Sequence, residues 1–331
     1  MVLVDTILNL AAQNLLSPII LFFALGLAAA LVRSDLSVPE AAAKTLSIYL
    51  LFAIGFKGGV SVSDHGVDAT LVFSLIAGLI LSFLLPFVAF GLLRVMTRLD
   101  ALDAAAVAGH YGSISIVTFV AATSVLQSQG IASEGYLVAV AAVMEAPAIL
   151  SALWLAARFS TQAANEGRAQ DSKGLLREIL FNGSIVLLVG SFVIGFLSGP
   201  QGLSDIESFI VAPFKGVLCL FLLDMGLVAG RGLRSSAHYL RPGLILFGIV
   251  MPIIGSFAGL IAASMIGLST GGTVLLMTLS ASASYIAVPA AMRVALPEAN
   301  PSIYLTMSLG ITFPFNLTIG IPLYLSLAQV I

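Results

Sequence analysis

Apolar runs follow one another along the chain at about 15–33, 43–62, 69–95, 102–125, 134–157, 179–198, 209–230, 243–267, 272–295 and 302–330. Each approaches the roughly 20 apolar residues that a helix needs to cross the hydrocarbon core of a bilayer. The pattern therefore predicts ten transmembrane helices in an all-α polytopic membrane protein. One sizeable polar interval interrupts it, at 158–178, carrying Asn165, Glu166, Arg168, Gln170, Asp171 and Lys173. That interval reads as a cytoplasmic linker between a first five-span repeat, 1–157, and a second, 179–331.

Charge tests this count. With the N-terminus outside, the cytoplasmic loops and their flanks hold Arg33, Lys44, Arg94, Arg98, Arg158, Arg168, Lys173, Arg177, Arg231, Arg234, Arg241 and Arg293. These are 12 of the 14 Lys and Arg residues, and only Lys57 and Lys215 fall elsewhere. Cytoplasmic loops are where an excess of Lys and Arg is expected. One missed span would scramble the pattern, so both termini are expected on the periplasmic or extracellular side of a bacterial inner membrane.

Five spans per block is an odd number, which turns the second block upside down relative to the first. Residues 51–59 (LFAIGFKGG) line up with 222–230 (LLDMGLVAG), 112–118 (GSISIVT) with 283–289 (ASYIAVP), and 144–147 (MEAP) with 311–314 (ITFP). Three echoes in one order predict two inverted repeats. They also predict breaks at corresponding places in the fourth and ninth helices. Inverted repeats with broken helices point to a secondary transporter whose site lies near the bilayer midplane.

The breaks are read from composition within apolar runs. Residues 280–289 (SASASYIAVP) and 109–118 (GHYGSISIVT) combine hydroxyl residues with glycine or proline. A backbone group freed inside a membrane costs several kcal/mol unless it faces protein or water. Two half-helix N-termini, each carrying about half a positive elementary charge, would make an anion site without any arginine. Gly109 and Gly112 would let backbone approach a ligand. Gly112, Ser113, Ser115, Thr118, Ser282, Ser284 and Tyr285 are the candidate substrate residues. Tight helix packing through small residues is the competing reading.

Ionisable and polar groups inside the membrane are functional candidates by default. Glu145 lies two residues before Pro147 and suits Na+ or a proton, unless it ties helices through Lys57 or His110. Ser280, Thr312, Asn316 and Asp224 complete the candidate cation set, Asp224 having Lys215 or Arg231 as possible partners. Lys57 reads as a helix-end lysine snorkelling to the outer surface. His110 reads as a satisfied hydrogen-bonder or a proton relay, Arg293 as the cytoplasmic end of the ninth span, and Asp64, His65 and Asp68 as a solvated loop.

Composition agrees with the class. The chain of 331 residues is 59% hydrophobic and 9% charged, where soluble domains carry about 25% charged residues; its mean hydropathy is +1.10. A net charge of −2 without a basic run offers nothing to a nucleic acid. The single cysteine, Cys219, excludes an intramolecular disulfide and a cysteine metal site. The N-terminus lacks the basic region of a cleaved signal peptide. No GxSxG, HExxH, P-loop or EF-hand pattern is present, so no enzyme activity and no cofactor are expected.

At these residues the chain resembles the sodium-dependent bicarbonate transporters first known from cyanobacteria. Residues 222–229, 109–118, 282–289, 298–304 and 320–324 carry the resemblance, which covers nearly the whole length. It implies ten spans in two inverted repeats, a core domain moving against a gate domain, a homotrimer, and sodium-coupled anion uptake. It puts substrate and sodium at the crossing breaks, on Gly112, Ser115, Thr118, Ser282, Ser284 and Pro289. The cyanobacterial carriers have an aspartate where Tyr285 stands, Ser-Gly where Ala287 and Val288 stand, and Gly-Ser where Ile116 and Val117 stand. An acidic sodium ligand is thus replaced by a bulky phenol. The short linker argues against a PII-like regulatory partner. The resulting expectation is sodium-coupled uptake of a small anion, bicarbonate or a small carboxylate. The alternatives are a cation/proton antiporter or bile-acid-type carrier and, more distantly, a membrane-embedded enzyme or receptor.

Overall fold

The computed structural model describes residues 16–66, 68–159, 183–235 and 241–330. Most of the 158–178 linker and the two termini lie outside them. All regular structure among the described residues is helical. In chain order the helices are α1 (Pro18–Leu31), α2 (Glu40–His65), α3 (Ala69–Met96), α4 (Ala101–Gly112), α5 (Ile116–Ser128), α6 (Leu137–Val143) and α7 (Glu145–Phe159). The second half holds α8 (Gly183–Ile210), α9 (Phe214–Ser235), α10 (Pro242–Ile266), α11 (Thr270–Ala281), α12 (Ala287–Ala295) and α13 (Pro301–Ala328). Among the described residues, eight helical runs are long and apolar enough to cross a membrane, and α1 and α11 are shorter apolar helices.

Local chemistry sets the ends of these elements. Asp68, Asp100 and Ser269 stand before α3, α4 and α11 and accept N–H bonds from Leu71, Asp103 and Gly272 at 2.8, 2.8 and 3.0 Å. Such caps satisfy donors that a helix start leaves open. α10 ends at Gly267, whose left-handed φ of 80° is available to glycine without strain. α8 departs from the expected pattern, because residues 199–210 continue as helix after a kink. Gly199 takes φ 60° at the kink and Pro200 restarts the helix. Leu203, Ile206 and Ile210 then have apolar partners in Phe56 and Val60 of α2.

Interiors of α7 and α13 are irregular too. Between α6 and α7 the Ser82 hydroxyl donates to the Met144 carbonyl and accepts the Ala148 N–H at 3.2 Å. A side chain of α3 is thus inserted into the backbone ladder next to Pro147, which has no N–H of its own. α13 contains π-helical turns at Thr306–Thr312 and Asn316–Gly320, on either side of Pro314.

The two most extensive helix contacts are α2 along α8 and α1 along α9. Glycines make both approaches close. A Cβ on Gly59 would stand 1.9 Å from the Phe192 carbonyl oxygen, and one on Gly195 would stand 2.1 Å from that of Phe56. Gly26 and Gly226 are in the same position against Leu223 and Phe23, each at 2.1 Å. The echo between 51–59 and 222–230 therefore marks two like contacts. Around the second set of helices, α3 packs on α4, α4 on α7, and α10 on α11. Phe73, Ile76, Leu79, Ile80, Phe83 and Leu84 of α3 point outward, as a helix facing lipid tails would leave them.

Gly59→Val and Gly226→Val are each expected to cost about 1–3 kcal/mol or more, because backbone stands where the new side chain must go. Thermal unfolding of detergent-solubilised protein checks this, and unchanged midpoints in both variants would contradict the packing described.

Candidate functional site

Two helical stretches stop and restart in mid-course. α4 ends at Gly112, and Ser113 and Ser115 are extended in the three-residue break before α5 begins at Ile116. The Ser115 hydroxyl caps α5, accepting the Thr118 N–H at 3.2 Å and the Thr118 hydroxyl at 2.8 Å. α11 ends at Ala281 and α12 starts at Ala287, with the Ser284 hydroxyl accepting the Val288 N–H at 3.5 Å. Counted from the end of each first half-helix, Ser113 corresponds to Ser282 and Ser115 to Ser284. Both leading residues have the same extended conformation, φ −85° and −88°. The sequence echo sets Ser113 against Ser284, two residues out of this register, because the break before α12 is two residues longer than the break before α5.

The breaks cross and are tied to each other. The Ser115 N–H donates to the Ser282 hydroxyl at 2.9 Å, and the Ser284 N–H donates to the His110 carbonyl at 2.8 Å. The Ser282 hydroxyl in turn donates to the Leu279 carbonyl at 2.9 Å. A hydroxyl can donate one bond and accept others, so Ser282 links a freed donor to a freed acceptor. Asn316 serves the same break: its amide N–H donates to the Ala281 carbonyl at 2.9 Å, and its carbonyl accepts the Tyr324 hydroxyl at 2.7 Å.

A cavity of about 10 Å³ lies at the crossing, lined by Leu51, Ile114, Ser115, Ile116, Glu145, Ser284, Tyr285 and Ile286. That is room for about one water-sized species. The first residue of α5 and the residue before α12 both border it, so the positive ends of two helix dipoles meet there. Glu145 comes to the same spot from α7. It is 5% exposed, and its Oε2 has no hydrogen-bond partner. An unpaired carboxylate in an apolar interior needs a proton or a cation as partner. Substrate and cation candidates that the sequence kept apart thus share one cavity.

Other candidates have different surroundings. Ser113 and Ser280 are buried, with hydroxyls that lack a partner. Gly112 does not open the backbone to a ligand, because Pro86 fills the space: a Cβ would stand 2.2 Å from its ring. Gly109 is likewise closed off by Ala152. Both glycines serve close helix packing. Thr312 donates to the Gly248 carbonyl at 2.8 Å and shares a 2.6 Å bond with the Tyr111 hydroxyl, so its hydroxyl is engaged with protein. Asp224 is buried in α9 and does not line the crossing cavity. His110 bonds the Ala106 carbonyl at 2.7 Å and stacks on Tyr304, at 4.4 Å between ring centroids. Tyr285 packs edge-on against Phe313 and closes the cavity from that side. Lys57 is half-buried, and its Nζ lies 4.1 Å from the Phe214 ring centroid in the lining of a second cavity. The signal for that was its sequence position, a lone lysine followed by two glycines in an apolar run.

Ser282→Ala leaves the Ser115 N–H and the Leu279 carbonyl without this partner, and is expected to cost about 1–3 kcal/mol. Chemical unfolding in detergent reads the loss; a variant as stable as the parent would show that the cross-link carries no weight.

No curated protein matches the chain significantly. The profile of the Na+-dependent bicarbonate transporter superfamily matches residues 18–329, nearly the whole chain. The apolar helices, the crossed breaks and this match together identify the chain as a member of the Na+-dependent bicarbonate transporter superfamily.

Proposed function

We propose that the protein is a secondary active transporter that couples uptake of a small anion, bicarbonate or a small carboxylate, to sodium. The observation that carries this reading is the crossing cavity, where two half-helix N-termini and the unpaired Glu145 carboxyl converge. The N-termini supply N–H donors and positive potential for the anion. Ser115 and Ser284 add hydroxyls, and Glu145 supplies the negative charge a cation needs. Ser113 and Ser280 in the two broken stretches are buried with hydroxyls that have no partner. The cavity as it stands holds about one water-sized species, so in this scheme the crossing widens to admit both ions. Their joint binding neutralises what either would leave uncompensated, which is a physical basis for coupling. Thr312, Asn316 and Thr118 position the broken backbone in this scheme, and Asp224 stands on the opposing helices.

Ten spans in two inverted five-helix repeats, 1–157 and 179–331, are part of the proposal. Contacts of like kind support it: α1 on α9 answers α2 on α8, and α3 on α4 answers α10 on α11. α1, α2, α8 and α9 form the gate in this reading, and the helices around the crossing form the core. Leu51 of α2 borders the cavity, so sliding the core past the gate would carry the site across the membrane, as an elevator does. An inner-membrane location, external termini and a homotrimer belong to the same proposal. Tyr285, occupying cavity wall beside Phe313, favours a small or flat anion.

A proton-coupled reading has one observation in its favour, the unpaired Oε2 of Glu145. Uptake of labelled bicarbonate into proteoliposomes separates the two. Replacing sodium by choline is expected to abolish uptake, and uptake that survives the swap would make proton coupling the better account. Ser115→Trp and Ser284→Trp are expected to abolish uptake while the protein still folds. Normal uptake by both would remove the site. Glu145→Gln is expected to lower sodium-stimulated uptake at least ~10-fold, the loss of about 1.4 kcal/mol of ion binding.

A further inference from the structure

A second cavity, of about 200 Å³, lies between α2, α5 and the turn before α6. Lys57, Thr123, Ser124, Gln127, Ser133 and Glu134 supply its polar lining. It is in series with the crossing cavity along the same two helices. Leu51 of α2 and Ile116 of α5 border the crossing, while Ile54 and Phe119, one turn further along each helix, border the larger cavity. One turn is about 5 Å of helix. The four apolar side chains belong to one buried cluster and separate the two polar spaces along these helices.

Lys57 is the cation in this lining. Its ammonium is held over the face of Phe214 at 4.1 Å, a contact that fixes the charge without using its N–H donors on a carboxylate. Glu134, the carboxylate in the lining, is committed elsewhere: it accepts the Ser269 N–H and the Ser269 hydroxyl, both at 2.8 Å, at the start of α11. The helix dipole there offsets part of its charge. A low-dielectric cleft with one such ammonium focuses positive potential and concentrates small anions.

We propose that this cavity is an anion vestibule in which Lys57 holds a small carboxylate-like or bicarbonate-like anion before it passes the Leu51, Ile54, Ile116 and Phe119 collar to the crossing. The inference rests on reading the crossing as an anion site, and it adds the route and the recruiting charge. By the topology proposed above, the vestibule opens to the outer side. Lys57 is a recruiting residue, and the anion leaves it for the helix N-termini when the collar opens.

Two readouts on the full-length protein test this. In a Cys219→Ser background, Gln127→Cys places a reporter thiol in the vestibule. Its reaction rate with the anionic sulfonatoethyl methanethiosulfonate is divided by that with the cationic trimethylammonioethyl reagent. Lys57→Gln is expected to lower this ratio about 10-fold, through loss of one nearby unit charge, and Lys57→Arg to keep it. In proteoliposomes without the reporter, Lys57→Gln is expected to raise the KM for bicarbonate about 10-fold with kcat within about twofold, again with rescue by Lys57→Arg. An unchanged ratio overturns the vestibule whether or not bicarbonate is carried. A lowered ratio with unchanged KM overturns the recruiting role. A lowered ratio in a protein that carries no bicarbonate upholds the charged vestibule and instead removes bicarbonate from the reading of the crossing. Should Lys57→Gln not fold, Ser124→Asp sets a carboxylate in the same cavity, and the same two outcomes apply to it.

Discussion

A broken helix inside a membrane must find partners for the backbone groups it frees, and here the two breaks find them in each other. The Ser115 N–H meets the Ser282 hydroxyl and the Ser284 N–H meets the His110 carbonyl. Asn316 takes the carbonyl at the end of α11. Because the lipid interior offers no water, each unmet group would cost several kcal/mol. This mutual satisfaction locks the crossing to one geometry. The positions of Glu145, of the helix N-termini and of the small cavity follow from it.

Much of the fold was legible because membrane helices announce themselves in long apolar stretches. Runs such as 43–62 and 69–95 lie within α2 and α3, and 243–267 overruns α10 by one residue. The breaks were legible for a related reason, since serines beside glycine or proline have little use in a helix that only meets lipid. What the sequence could not convey was pairing. Period and composition do not say that Ser82 enters the ladder next to Pro147, or that Pro86 fills the space beside Gly112. The helix after the Gly199 kink falls between the apolar runs 179–198 and 209–230, because polar residues separate the apolar ones that pack on α2.

Polar residues inside the membrane divide into two groups once their neighbours are known. Thr312 and Asn316 have bonds to protein, and they hold irregular backbone in place. Glu145, Ser113 and Ser280 keep buried polar atoms without partners. Such atoms are costly to maintain in a folded protein, which makes a bound ion the economical explanation. Lys57 belongs with neither group, since an aromatic ring holds its charge beside a cavity. Under the proposals made above, these residues line a route from the Lys57 cavity past the Leu51, Ile54, Ile116 and Phe119 side chains to the crossing.

The central claim is that anion and sodium occupy the crossing together and depend on each other. Calorimetric titration of the purified protein with bicarbonate, with and without sodium, addresses this directly. The account predicts that sodium tightens bicarbonate binding, that bicarbonate tightens sodium binding by the same factor, and that Glu145→Gln abolishes both effects. Bicarbonate binding of equal strength in sodium and in choline would contradict it.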